Sequence, residues 1–591
     1  MGERHGETLW LGEGVDIAPD AQLYGPIYLG PGVKIKGGVI IHGPTVIRDY
    51  TVVDTNAHVE RSIVWRNCYI GEGVELRGAI VGRQCSLKSK AVVFEGAIIG
   101  DGSVIDEAAV IHPGVKIWPD KEVEAGATVK TSIIWGSQGR RVLFGRYGVT
   151  GLVNVDLTPE FAARLGAAFA ATLPQGATVT TNRDPHRSPR MIKRAIIAGL
   201  PSAGVSVMDL SEVPIPVARY ITGQSTAQGG VHVRLSPFDN RVVDIKFFDE
   251  NGQDLSKDDE RNVERVFFRE DFRRVYLDEI GTIGYAEHAR ERYTEDFMGH
   301  INVGAIRRAN PYCVVDYANA PTAGVFSPIL ADLNVQVVAL NAAVEETKMS
   351  IRTEEFQHSL GQLAQICEVL ETAIGARLDV GGERVYVVDD LGRSVSGVML
   401  TAAVAIMALR SRGGGVLVIP DTLPNVMEKI AAAHGGSVVR TKTSGAALMD
   451  AATGAEVVMA ADGRGSFVWP EFQPVVDGMM TVAKLLEFLA VQDTRLSRAL
   501  GEVPAFHMAQ GVVNCPWENK GTVMRLLNEQ YKERMGPKID GVKIMMGEDE
   551  WVLLLPDEDQ PRFQIYAQGR SDAQARDLVQ RYERIVEGLQ E

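Results

Sequence analysis

Residues 29–59 read LGPGVKIKGGVIIHGPTVIRDYTVVDTNAHV, and in them an aliphatic side chain returns at every sixth position: Leu29, Ile35, Ile41, Ile47, Val53 and Val59. The beat extends outward in both directions. It begins at Leu11, Ile17 and Leu23, slips by one residue after Val59, and resumes at Val64, Ile70 and Leu76. After a second slip it runs from Val81 to Val129. Neither a helix nor an ordinary strand has a period of six. The pattern fits a chain that turns a corner every six residues and closes a triangular coil every eighteen. The aliphatics then point inward, and Gly, Pro, Asp and Asn make the corners. Twenty-one such beats give about seven coils, a prism on the order of 30 Å tall at about 4.8 Å per layer. The two slips predict tightened corners in an otherwise regular coil and need not mark active sites.

The repeats resemble the hexapeptide-repeat family, which implies a left-handed parallel β-helix over residues 1–136. Some members of that family are acyltransferases with a catalytic histidine at a trimer interface, which draws attention to His42, His58 and His112. His42 and His112 each directly follow an inward aliphatic, so the plainer reading is a solvated coil edge. Flat solenoid faces and open ends invite contact with neighbours, and an assembly role is the better default.

At 591 residues the chain is too long for one core and should hold several domains. A formal charge of −15 argues against a nucleic-acid-binding surface. Apolar stretches such as residues 398–409 fall short of a membrane span. The N-terminal MGERHGETLW has no apolar signal region. Five scattered cysteines without metal-ligand spacing read as reduced thiols of a cytoplasmic protein.

After Val129 the period fades. Thr158, Pro159 and Glu160 read as the cap and first turn of a helix. Beyond it, strand-like runs such as ATVTT, GGVHVRL, YCVVDYA, RVYVVDD and GGVLVIP alternate with amphipathic helices, which argues for repeated α/β units. The expected units are 137–275, 276–395 and 396–500. An α+β domain over 501–591 follows them.

In order and spacing these units resemble the α-D-phosphohexomutases, the superfamily of phosphomannomutase and phosphoglucomutase. The carrying stretches are LFGRYGVTG with LTPEFAARLGAAF, then TNRDPHRSP, GGVHVRLSPFDNRVVDIKFFDENG, and YCVVDYANAPTAGVF. The combination with a hexapeptide solenoid looks like the C-terminal portion of bacterial mannose-1-phosphate guanylyltransferase/phosphomannomutase-like fusion proteins. The glycine-rich nucleotide loop of those fusions is absent here, so this chain alone is not expected to transfer a nucleotide.

The resemblance implies phosphoryl transfer between an enzyme serine and a sugar, with a divalent cation and a cationic grip on the distal phosphate. Ser236 falls at the family's phosphoserine, and Arg234 before it is suited to hold a phosphate or a carboxylate. The family's Thr-Ala and His-Asn-Pro neighbours are replaced by Arg234, Leu235, Pro237, Phe238 and Asp239, and a Ser-Pro step equally suits a plain turn. The metal loop keeps Asp379, replaces its middle aspartate by Gly381 and its third by Glu383. With phospho-Ser236, these residues imply at most weak Mg2+ binding, since Mg2+ demands hard oxygen ligands in tight geometry. Arg183, Arg187 and Arg384 match family arginines, and Arg464 with Ser466 stands in the sugar loop, which is expected to lack the family's acid before Gly463. The phosphate loop, normally Arg-Pro-Ser-Gly-Thr-Glu, here reads Asp557, Glu558, Asp559, Gln560, and three carboxylates there repel a dianion. With all four loops altered on a persistent scaffold, the expected function is a scaffolding or regulatory subunit of nucleotide-sugar metabolism. It binds a hexose phosphate or nucleotide sugar, forms homo-oligomers through the solenoid, and works beside a separate nucleotidyltransferase. The alternative is an active mutase that uses phospho-Ser236.

Overall fold

The computed structural model describes residues 3–5, 8–130, 132–133, 143–237, 239–547 and 549–590. The expected boundary between 136 and 137 and the loop residue Phe238 lie outside them. Twenty-one short parallel strands, from Leu9–Leu11 to Thr128–Val129, stack into three sheets, the left-handed β-helix that the repeat predicts. The inward residues from Leu29 to Val129 are buried, whereas Leu11, Ile17 and Leu23 are half-buried. The first coil has no layer beneath it, and only the strand Glu3–His5 pairs onto it, antiparallel to Leu9–Leu11.

Both slips fall at the same corner of the prism. Residues 61–62 and 78–79 join strands there, whereas 94–97 do so one coil later. Neighbouring strands are accordingly offset by 17 residues (His58 with Glu75, Glu75 with Val92), where the coil before has 18 (Ile40 with His58). Arg61 and Gly78 make the short turn with positive φ, 46° and 59°. The histidines are on the outer surface: His42 stacks on Tyr24 and lies against His58, and His112 faces Phe94. On the outer side of another face, Trp10, Tyr28, Val46, Ile63, Ile80 and Ile98 stand in register on successive strands. Ile63, Ile80 and Ile98 are each about two-fifths exposed, at 40, 39 and 38%.

Beyond the solenoid come four sheet-based units. The first sheet has seven strands, with Gly229–Leu235 and Val242–Phe248 as a central antiparallel pair. Thr158 caps the helix Pro159–Thr172 by accepting from the Phe161 N–H, as its sequence implies. This sheet runs past the expected boundary at 275, because Ile283–Tyr285 pairs parallel with Ser206–Asp209. A four-stranded sheet spanning residues 312–388 and a five-stranded one spanning 415–476 follow. One apolar core runs through all three units, with the helix Gly397–Arg412 at its centre. Leu400–Leu409 is buried without a break, so its continuous apolar stretch reflects burial on every side. No described helix is long and apolar enough to cross a membrane. The last unit is a four-stranded antiparallel sheet of residues 507–569, covered by Trp517–Gln530 and Asp572–Gly588.

The solenoid lies against the α/β units. Lys88 pairs with Asp156, Arg241 Nη1 is 3.2 Å from Asp54 Oδ2, and Gly126 abuts Pro561. A void in the prism has no means of collapse, because each layer is fixed by the ones above and below. Replacing the fully buried Leu76 by Ala is expected to cost about 2–5 kcal/mol, measured as a lower denaturation midpoint for the solenoid followed by Trp65 and Trp118 fluorescence.

Candidate active site

The cleft is assembled from local geometry. Arg234 and Asp244 lie opposite each other on the central antiparallel pair, so Arg234 Nε donates to Asp244 Oδ2 at 2.9 Å. Ser236 comes just after the strand, in the turn before residue 242, with its N–H donating to Val242 O at 2.9 Å. The Ser-Pro step is thus a turn, and it also leaves Ser236 half-buried on the wall of a cavity of about 490 Å³ between the four units.

From the second sheet, the hairpin Ile374–Leu378 and Val385–Val388 presents residues 379–384 to the same cavity. Asp379 Oδ1 accepts from the N–H groups of Glu383 (2.7 Å) and Arg384 (2.9 Å), so this carboxylate braces its own loop. Glu383 reaches the first unit. Its Oε1 accepts from Arg219 Nη2 at 2.9 Å and Nε at 3.2 Å, its Oε2 from Lys246, and Arg234 Nη1 lies 3.7 Å away. Burial alone raises a carboxyl pKa, but the Lys246, Arg219 and Arg234 charges outweigh it and hold Glu383 well below the usual carboxylate range.

These residues do not fit a divalent ion. Both Glu383 oxygens are committed to cationic donors, one Asp379 oxygen to backbone, and Mg2+ accepts only oxygen ligands. Among the described residues no cluster of three or more His, Cys, Asp and Glu side chains is arranged to hold a metal.

The sugar loop joins through Arg384 and Ser466, which form a backbone bridge and whose side chains meet at 3.1 Å, Nε donating to Oγ. The expectation that the sugar loop has no acid before Gly463 is corrected here, since Asp462 stands directly before it. Asp462 Oδ1 accepts from the N–H groups of Arg464 (2.7 Å) and Ser466 (3.0 Å), and Oδ2 lies 3.7 Å from Arg384 Nη2. Arg464 Nη2 donates to Tyr566 Oη at 2.6 Å, across to the C-terminal unit.

The acidic loop also lines the cavity, but its carboxylates are spent. Asp557 accepts from Arg562 Nε at 2.8 Å and Gln564 Nε2 at 2.9 Å. Glu558 pairs with Lys257 at 3.2 Å, and Asp559 accepts from the Arg146 N–H at 3.3 Å. The loop closes the C-terminal unit onto the first one. Lys246, Arg219, Lys257 and Arg146 carry no sequence signal that marks them, since their roles depend on partners more than a hundred residues away. Arg183 and Arg187 stand outside the cavity. Arg183 pairs with Glu212, and Arg187 is exposed at the start of the helix Arg187–Ser202.

Three regions match known families. Residues 141–274 and 398–506 match phosphoglucomutase/phosphomannomutase alpha/beta/alpha domains I and III, and residues 27–96 match the GlmU-like C-terminal hexapeptide family. The phosphoglucomutase/phosphomannomutase of Thermococcus kodakarensis is 30% identical over 445 residues, covering 74% of this chain and 97% of its own. The chain belongs to the phosphoglucomutase/phosphomannomutase family. A Methanopyrus kandleri relative named "probable phosphoglucosamine mutase" is 27% identical, covering 75% of this chain and 97% of its own. The crystal structure of a phosphoglucomutase/phosphomannomutase family protein from Burkholderia thailandensis shares the fold. Its TM-score is 0.66 at 18% identity, over 76% of this chain and 97% of that one. Residues 236–237, 379–384, 462–466 and 555–559 all contribute to the wall of one cavity, and many of its charges pair with one another.

Removing Glu383 takes from Lys246 its ion-pair partner and from buried Arg219 and Arg234 one of two carboxylates each, so Glu383→Ala is expected to cost about 3–5 kcal/mol, read as a lowered unfolding midpoint. Asp477 gives a second expectation. It caps the helix Gly478–Val491, whose first N–H donates to Gly382 O in the metal loop at 2.9 Å. Burial pushes its carboxyl from the ordinary 3.8 up to about 6, with Tyr293, Met480 and Gln473 donating to it. A raised acid pKa favours the protonated fold, so stability should fall as pH rises from about 4 through about 6. Asp477→Asn should flatten that part of a stability–pH profile.

Proposed function

We propose that the chain is a hexose-phosphate- or nucleotide-sugar-binding module of nucleotide-sugar metabolism, of the GDP-mannose type. In this reading its Mg2+-dependent mutase activity is weak or lost, and it acts as a scaffolding or regulatory partner of a sugar-1-phosphate nucleotidyltransferase. The observation that carries this reading is the acidic loop. Where a mutase needs cations to grip the distal phosphate, Asp557, Glu558 and Asp559 stand and are tied to Arg562, Lys257 and the Arg146 backbone. A substrate that must turn over between its two phosphorylated ends needs such a grip in both orientations. Ligand binding retains support elsewhere in the cavity wall, where Arg464 and Lys442 have no carboxylate partner among the described residues and Arg384 and Ser466 also face the cavity. The nucleotidyltransferase link rests on the likeness to solenoid-containing fusion proteins.

Homo-oligomerisation is supported by the apolar ladder on the solenoid, since a row of exposed isoleucines on a flat sheet is costly to leave in water. Light scattering behind gel filtration should give a multiple of the 64.2 kDa chain mass. Ile80→Glu should shift it toward the monomer without loss of the β-helix signal in circular dichroism, and a wild-type monomer would refute the reading.

One observation favours the alternative of an active mutase. Ser236 lines the cavity and, among the described residues, its hydroxyl has no hydrogen-bond partner, which leaves it free to carry a phosphoryl group. The two readings separate in one assay. The chain is incubated with Mg2+, glucose- or mannose-1-phosphate and the matching 1,6-bisphosphate, and 6-phosphate is followed. The expected result is binding of the 1-phosphate, weakened by Arg384→Ala or Arg464→Ala, with no turnover above that of Ser236→Ala. Turnover abolished by Ser236→Ala establishes the active mutase instead.

A further inference from the structure

The space between the metal-loop carboxylates is filled by the protein itself. A Cβ added at Gly381 would stand 3.6 Å from Asp379 Oδ2, 3.6 Å from Arg234 Nη1 and 2.8 Å from Ile215 Cδ1. A middle carboxylate at 381 therefore meets Ile215 as soon as its first carbon is in place. The guanidinium of Arg234 enters that same space from the first unit. It is anchored by Asp244 at 2.9 Å and faces Glu383 at 3.7 Å. Arg234 is 5% exposed, and the Tyr147 ring flanks it with its centroid 5.8 Å from Cζ.

The charges are nearly matched. Buried Arg219 and Arg234 and half-buried Lys246 face buried Asp244 and Glu383 and half-buried Asp379. Arg219 also reaches the more exposed Asp254 at 2.6 Å. A divalent ion would find Asp379 Oδ2 open, but to gain a second carboxylate from this loop it would have to displace Lys246 or Arg219 from Glu383.

We propose that Arg234 is a built-in cation in the place of the divalent ion, so that an anionic ligand beside Ser236 is held without a metal. The nature of that ligand rests on the sugar-phosphate reading, whereas the position of the cation does not. Arginine suits the task, because its charge persists at any physiological pH and its planar donors match both carboxylate and phosphate oxygens.

The test uses the full chain and Mn2+ alone, followed by electron paramagnetic resonance at about 1 mM Mn2+. The expected spectrum is unchanged between wild type, Asp379→Asn and Glu383→Gln, with any bound Mn2+ confined to the surface. Arg234→Ala, folded by circular dichroism, should gain a bound Mn2+ population that Asp379→Asn then removes. Wild-type Mn2+ lost on Asp379→Asn or Glu383→Gln overturns the proposal, and so does a folded Arg234→Ala that gains none. Calorimetry with glucose-1-phosphate supplies a separate arm. Affinity should stay within about twofold when EDTA replaces Mg2+, and a collapse in EDTA overturns the proposal. If no hexose phosphate binds under either condition, the sugar-phosphate reading fails, while the Mn2+ arm still decides whether Arg234 occupies the metal's place.

Discussion

The buried carboxylate of Glu383 is the constraint on which the rest of the cleft depends. It projects from the second unit and is met by Arg219, Lys246 and Arg234 of the first. A carboxylate out of water is costly unless it is fully paired, and so are the three cations. Each unit therefore stabilises the charge of the other only when the two are docked. Docking fixes the Ser236 turn, the 379–384 loop and, through the Arg384–Ser466 bridge, the sugar loop around one cavity.

The C-terminal unit is held by a second set of polar contacts, among them a buried pair to the third unit, Lys543 Nζ with Asp421 Oδ1 at 2.7 Å. Glu558 with Lys257 and Asp559 with the Arg146 N–H reach the first unit, and Tyr566 with Arg464 reaches the third. The exposed Glu558–Lys257 pair contributes about 0–1 kcal/mol, far less than the buried Glu383 cluster. The solenoid adds a third connection, through Lys88 with Asp156 and Arg241 with Asp54.

Much of this architecture is legible in the sequence, because periodic burial leaves a periodic signal. The six-residue beat identifies the coils, and its two slips identify the tightened corner, since every inward position faces a single environment. The unit order and the loops bearing Ser236, Asp379, Arg464 and Asp557 are likewise legible from local pattern and family likeness. The strand Ile283–Tyr285 is not, because an exposed edge strand of three residues carries little burial pattern. Arg183 and Arg187 match a recurrent motif yet stand outside the cavity, Arg183 paired with Glu212 and Arg187 exposed.

By itself the sequence determines the prism and the family of the α/β units, both written in nearby residues. Only the tertiary structure decides what the loop residues meet. Arg234 reads as a phosphate-holding neighbour of Ser236, and in the fold it faces Glu383, contributed from 149 positions later (383 − 234), and lies near Asp379 of the same loop. The acidic loop reads as repulsion, and in the fold its charges are absorbed by Lys257, Arg562 and the Arg146 backbone. The physical reason is that a charge takes its meaning from its partners, and in a buried cluster those partners come from units distant in the chain.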